Sequence, residues 1–244
     1  MVSKSQIKLI TSLEQKKHRS KTGLFIVEGK KGIEELLASN FELHSLFITQ
    51  DIFKTPREKT HSISEAELKK ISNLKNPQMG LAIFEIPTQE DLELSGLVVA
   101  LDGVRDPGNL GTIIRLCDWF GIKILICSLD TVDCYNSKVI QATMGSITRV
   151  KIHYVDLPVF LKENNSHDLL GTFLEGENLY TSKFQKDSII ILGNEANGIS
   201  QEIENIIDKK INIPQFGHSQ NTESLNVATA TAIVLGEIRR KEAY

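Results

Sequence analysis

The stretch Leu97-Val-Val-Ala-Leu-Asp-Gly-Val-Arg-Asp-Pro-Gly-Asn-Leu-Gly-Thr-Ile-Ile-Arg115 decides how the chain folds. Its first five residues are apolar without a break and run into Asp102-Gly103. A continuous apolar strand, unlike an alternating one, belongs in a sheet covered on both faces, which is the parallel arrangement. The pattern returns twice downstream. Ile189-Ile-Ile-Leu192 runs into Gly193-Asn-Glu-Ala-Asn-Gly198, and Ile211-Asn-Ile-Pro214 precedes Ser224-Leu-Asn-Val-Ala228. Ligands of open α/β sheets bind beyond the carboxyl ends of the strands, where glycine lets backbone come close. Three such loops in one half of the chain point to one composite pocket.

The flanking sequence extends this pattern. Strands are expected over residues 97–101, 123–127, 148–150, 169–172, 189–192 and 210–213, and helices over 109–120, 137–142, 158–163, 199–206 and 224–240. Apolar strands alternating with helices indicate an α/β fold with a parallel sheet. Upstream, residues 5–19 read as one helix with Ile7, Ile10 and Leu13 at near-helical spacing, ended by Thr22-Gly23 before Leu24-Phe-Ile-Val27. Glu28-Gly29 opens a further helix through Ile33, Leu36 and Leu37. Strands over 46–49 and 80–85, with a helix over 65–72 introduced by Ser64, complete a small α/β domain over residues 1–88. The acidic stretch Glu85-Ile-Pro-Thr-Gln-Glu-Asp-Leu-Glu-Leu94 reads as a linker to a second domain over residues 95–244.

Bulk properties narrow the class. The chain has 244 residues, 41% hydrophobic, enough for two modest domains. No apolar run approaches the ~20 residues of a membrane helix, and the start Met1-Val-Ser-Lys-Ser-Gln lacks the apolar middle of a signal peptide. Cys117, Cys127 and Cys134 are odd in number and unpaired in spacing, and the histidines are scattered, so no disulfide framework or metal site is indicated. A reducing cytoplasm is the expected setting. The net charge of −3 hides an asymmetry. The first 31 residues hold eight Lys or Arg against two Glu, and the remainder carries 20 basic against 29 acidic groups. Phosphate affinity depends on where positive charge sits, so the front end is the candidate grip for a nucleic acid.

Asn109-x-Gly-x-x-x-Arg115, Gly193-x-Glu195-x-x-Gly198 and Ile213-Pro214 followed by Ser224-Leu225-Asn226-Val227 resemble the three ordered motifs of the SpoU/TrmH branch of the SPOUT RNA methyltransferases. The resemblance covers residue 97 to about 239, with a looser one in front. It implies transfer of a methyl group from S-adenosylmethionine to a ribose 2′-hydroxyl of RNA. It also implies a C-terminal parallel-sheet domain with a trefoil knot, a ribosomal-protein-like substrate-binding domain in front, and a homodimer. Periodicity alone gives no sign of a knot. Ribosomal RNA is favoured over tRNA because the front domain resembles those of rRNA enzymes.

The motifs assign residues. The resemblance puts Asn109, Arg115, Glu195, Ser224 and Asn226 at the reaction site. It gives the adenosine part of S-adenosylmethionine to Gly193, Gly198, Ile213 and Leu225. On residue chemistry, Pro107-Gly-Asn-Leu-Gly111 reads as a turn and Thr112 as a helix start, with Arg115 one turn on. An arginine there opposes the helix dipole, which an RNA phosphate would explain, as would a salt bridge to Asp102 or Asp106. Leu116, Trp119 and Phe120 read as core or subunit contact. Glu195 either touches the ribose or complements the next helix. Ser224 is equally a helix N-cap. Lys16, Lys17, Arg19 and Lys21 form the candidate RNA patch, and Arg239-Arg240-Lys241 reads as an ordinary helix end. Two departures from the family pattern stand out: the long loop Gln215–Glu223, containing His218, and Gln141 where relatives often place arginine. A non-catalytic RNA-binding or ribosome-assembly factor is the competing reading. A dinucleotide oxidoreductase lacks its G-x-G-x-x-G.

Overall fold

The computed structural model describes residues 1–88, 92–217 and 224–243. The chain divides into two compact units, one of Met1–Glu90 with Asp133–Thr148, the other of Asp91–Val132 with Arg149–Tyr244. The boundary near residue 90 falls in the stretch read as a linker. The return of residues 133–148 to the front unit is something no contiguous division at 88 and 95 provides for.

The front unit opens with two short helices, α1 (Lys4–Ser12) and α2 (Lys16–Thr22), where the sequence reads as one helix. The split has a visible cause. The Arg19 guanidinium turns inward and donates to Leu13 O and Glu14 O, both at 2.8 Å, satisfying the carbonyls that the break exposes. There follow β1 (Leu24–Glu28), α3 (Lys30–Leu37), β2 (Leu43–Ile48), β3 (Thr60–Ser62), α4 (Glu65–Ile71) and β4 (Gly80–Glu85). The strands form a mixed sheet in the order β1-β4-β2-β3. Leu13, Ile26, Phe47, Leu68, Leu81 and Ile83 pack one core cluster. Each such side chain contributes roughly 1.5–3 kcal/mol when fully buried.

The second unit runs β5 (Val98–Leu101), α5 (Pro107–Trp119) and β6 (Ile124–Ser128). The next helix, α6 (Ser137–Thr143), belongs to the front unit and lies against β1. The chain then continues through β7 (Lys151–Val155), α7 (Leu157–Glu163), β8 (Asp168–Phe173), β9 (Glu177–Asn178), β10 (Ser188–Leu192), α8 (Gln201–Glu204), β11 (Lys209–Asn212) and α9 (Val227–Ala243). Seven strands pair in the order β7-β6-β5-β10-β8-β11-β9, and every pairing is parallel. β5, β6 and β10 are buried along their whole length, as their unbroken apolar runs require.

The strand expected over 148–150 is displaced. Residues 146–148 make a 3-10 turn, and the strand occupies Lys151–Val155. This is an edge strand with Lys151 exposed, so it carries no apolar run to mark it. α8 is shorter than expected at both ends, because Ile199 and Ser200 remain in the preceding loop and Asn205 is already the C-cap. Among the described residues no helix is long and apolar enough to cross a membrane.

Candidate active site

The loops after β5, β10 and β11 all leave the carboxyl ends of their strands, and β5 and β10 are neighbours in the sheet. The first loop corrects the sequence reading. Pro107-Gly-Asn-Leu-Gly111 is not a turn but the first part of α5, with Asp106 as N-cap accepting from Asn109 N at 2.8 Å and proline at the first helical position. Aspartate at the cap and proline next are the strongest start signals a helix has. Arg115 therefore sits in the middle of the helix, and opposition to the dipole does not explain it.

The second loop is closed on itself. Asn194 N donates to Gly198 O at 2.9 Å and Gly198 N to Asn194 O at 2.8 Å. Gly198 sits at φ +68, in the left-handed region that glycine adopts without penalty. At Gly193 a side chain has no room, since a Cβ would come 2.1 Å from the Gly198 carbonyl carbon. The close approach at Gly193 is thus to its own loop. Sequence reading did not single out Asn194, which holds the arrangement. Its side-chain oxygen accepts from Ala196 N at 2.8 Å, and its amide donates to Gly103 O in the β5 loop at 2.6 Å. The available signal was an asparagine between a glycine and a carboxylate after a strand, the composition of an Asx turn. Asp102 adds a second tie by accepting from Ser200 N at 2.7 Å.

The third loop joins the other two through one side chain. Asn109 Nδ2 donates to Glu195 Oε1 at 2.6 Å, and Asn226 Nδ2 donates to Asn109 Oδ1 at 2.9 Å. Asn109 is thereby fixed from both ends of its amide. Asn226 Oδ1 meanwhile accepts from Ala228 N at 3.0 Å and Thr229 N at 3.2 Å. Asn226 is therefore the cap of α9, and Ser224, read as the cap candidate, lies outside the helix and is exposed. His218 and residues 218–223 of the long loop lie outside the described residues.

The remaining candidates are placed as follows. Arg115 is exposed, and neither Asp102 nor Asp106 pairs with it; no hydrogen bond or ion pair engages it among the described residues. Trp119 is 84% exposed and is not core. Leu225 is 46% exposed, and Ile213 is half-buried just after β11. At the helix end, Arg239 donates to Phe120 O, Arg240 pairs with Glu237, and Lys241 donates to Leu179 O and Ser182 O. These three cations are used internally.

In the front unit, Lys16, Lys17 and Lys21 are exposed, and Arg19 is not. Its side chain is 3% exposed, and its Nε and Nη2 donate to Asp133 Oδ2 at 2.8 and 2.5 Å. With two further donors on Leu13 O and Glu14 O, four of the five N–H groups of this buried side chain are engaged within the protein, which takes Arg19 out of the RNA-facing surface. It is a structural residue, and the candidate patch is reduced to the three lysines.

Comparison with known proteins agrees with this layout. Residues 96–236 match the model of the SpoU rRNA Methylase family, and residues 4–82 match an MRM3-like substrate binding domain. The 23S rRNA (guanosine(2553)-2′-O)-methyltransferase RlmP of Bacillus subtilis is 30% identical over 235 residues, covering 93% of each chain. A structure of a TrmH family protein from Porphyromonas gingivalis superimposes with a TM-score of 0.90 at 36% identity, over 99% of both chains. That of an AdoMet-bound rRNA methyltransferase from Sinorhizobium meliloti gives 0.86 at 30% identity, over 99% of this chain and 97% of that one.

Proposed function

The chain belongs to the SpoU rRNA Methylase family, and from that premise we propose that it methylates a ribose 2′-hydroxyl of ribosomal RNA with S-adenosylmethionine as donor. The observation that carries this reading is the Asn109-centred network, which draws together the first, second and third motifs. Ribosomal over transfer RNA is supported by the Bacillus subtilis and Sinorhizobium meliloti relatives, both named for rRNA and both matching the front unit as well as the catalytic one.

The residues present fit the donor. Leu225 leaves an apolar side chain exposed, as a surface for an adenine ring, and the loops that carry Gly193, Gly198 and Ile213 would supply backbone groups to the adenosine. When bound, S-adenosylmethionine supplies an electrophilic methyl group on a sulfonium. The protein's part lies with the acceptor. A ribose hydroxyl is a weak nucleophile and must lose its proton as it attacks. A guanidinium offers donors and no acceptor, so Arg115 is no base. It acts as a clamp instead, binding the phosphate beside the reacting ribose and stabilising negative charge as it develops on the oxygen, while a phosphate oxygen or water takes the proton. Glu195, held by Asn109, and Ser224 and Asn226 orient the ribose. Lys16, Lys17 and Lys21 grip RNA outside the reaction site.

The same reading includes a homodimer, supported by the exposed Trp119 on α5, along with a knotted C-terminal segment and a cytoplasmic setting. Unmodified ribosomal RNA incubated with purified protein and donor should gain methyl groups. A non-catalytic assembly factor would bind that RNA and transfer nothing.

A further inference from the structure

The front unit contains a cavity of about 330 Å³ that the reaction site does not use. Ile26 and Leu74 supply apolar lining, and Glu14, Glu28, Lys138 and Gln141 supply charged and amide groups. The Glu28 carboxylate is fixed in place. Its Oε1 accepts from Asn73 N at 2.9 Å, and its Oε2 accepts from the Ser72 hydroxyl. Each oxygen keeps lone-pair capacity for another donor. Burial pushes the Glu28 carboxyl above its usual range, with the nearby Glu14 charge acting in the same direction, so the cavity favours a partner that brings hydrogen-bond donors.

We propose that this cavity takes a single unstacked guanine base of the RNA, with the Glu28 carboxylate accepting from the N1–H and N2–H of its Watson–Crick edge. A flat heterocycle suits apolar lining on its faces, and a cavity of this size holds one base. Guanine presents two adjacent donors to a carboxylate, whereas adenine and cytosine offer one amino group on that edge and uracil one imino group. Lys138 and Gln141 donate to the guanine O6 and N7 acceptors. Sequence-specific RNA recognition proceeds through such splayed-out bases. The cavity would then contribute to the choice of RNA while the carboxyl-end loops carry the methyl transfer. The inference rests on RNA being the substrate, and it can fail while methyl transfer stands.

The test uses the full chain, isotopically labelled, with S-adenosylhomocysteine at saturation to occupy the donor site. Guanosine 5′-monophosphate is titrated and backbone amide shifts are followed, with inosine, adenosine, cytidine and uridine 5′-monophosphates in parallel. Shifts confined to residues 73–74 and 137–141, at least about fivefold tighter for the guanosine nucleotide than for inosine, are expected, since inosine lacks the N2 amino donor and loses one of the two bonds to the carboxylate. Glu28→Gln should abolish that preference. Lys138→Ala, an exposed substitution that leaves the fold intact, should weaken binding at the same residues. Equal response to all five nucleotides, no response in the cavity, or indifference to Lys138→Ala would overturn the proposal, whatever the methyl-transfer assay reports.

Discussion

Asn109 donates its side-chain amide to Glu195 Oε1 at 2.6 Å across 86 residues of sequence, and its oxygen accepts from Asn226 at 2.9 Å. One side chain thus sets the spacing of three loops. Asn109→Ala removes both bonds at once. Misplacing a reacting group by about 1 Å can cost on the order of 100-fold, and a loss of that size in kcat/KM is expected. Asn109→Asp should be nearly as damaging, because it sets a second carboxylate against Glu195. Steady-state kinetics on both variants check this.

Arg115 has no partner within the described chain, which separates its contribution to activity from any contribution to stability. Arg115→Ala should leave thermal stability within about 0.5 kcal/mol, as for surface substitutions generally. Arg115→Lys keeps the charge but loses the planar fork, so RNA binding should survive while turnover falls by an order of magnitude or more. Full turnover by the lysine variant would remove the clamp from the mechanism.

Arg19 and its lysine neighbours should behave in opposite ways. Arg19→Ala strands the largely buried Asp133 carboxylate and two loop carbonyls. Breaking a buried pair from one side costs about 3–5 kcal/mol, measurable by denaturant unfolding. Replacing Lys17 and Lys21, both exposed, by glutamate should leave stability within about 0.5 kcal/mol. It should weaken RNA binding and flatten its dependence on salt, since each lost phosphate contact removes about one unit of the log–log slope.

Gly193→Ala tests the second loop. Its Cβ would meet the Gly198 backbone, which has no flexible end to swing away. Overpacking of this kind costs typically 1–3 kcal/mol, and calorimetry should show weakened donor binding alongside the lowered melting temperature.

Glu67 supplies a pH dependence. Backbone N–H groups of Ser64 and Val2 hold its carboxyl at about 2, well below the ordinary 4.5. Between those values the unfolded chain binds the proton that the folded one does not, so stability rises with pH across that window. The contribution is complete above about pH 4.5 and lost as pH falls through about 2. Glu67→Gln should flatten the acid limb of the stability profile there and leave neutral-pH activity untouched.

The sheet interior was legible because fully buried parallel strands must be apolar throughout, as in Ile189-Ile-Ile-Leu192. The edge strands β7 and β9 were not, since an edge carries exposed residues such as Lys151 and Glu177 that break the signal. The start of α5 was misplaced because Pro107-Gly108-Asn109 has turn composition, and Asp106 outweighed it by capping. Asn226 displaced Ser224 as a cap for a similar reason, since either side chain can accept there and only the backbone path decides. The network partners Asn109, Glu195 and Asn226 were all named from the motifs, but that they bond to each other was not foreseen. Nothing in Lys16-Lys-His-Arg-Ser-Lys21 distinguishes the one cation that turns inward, because its partner Asp133 lies 114 residues away.

The most direct measurement is the chemical position of the transferred methyl group. Unmodified ribosomal RNA is incubated with the protein and methyl-labelled S-adenosylmethionine, then hydrolysed in alkali, which cleaves only where a free 2′-hydroxyl is present. Label recovered in an alkali-resistant dinucleotide is the predicted result. Label on a base, or none in the RNA, would contradict the account.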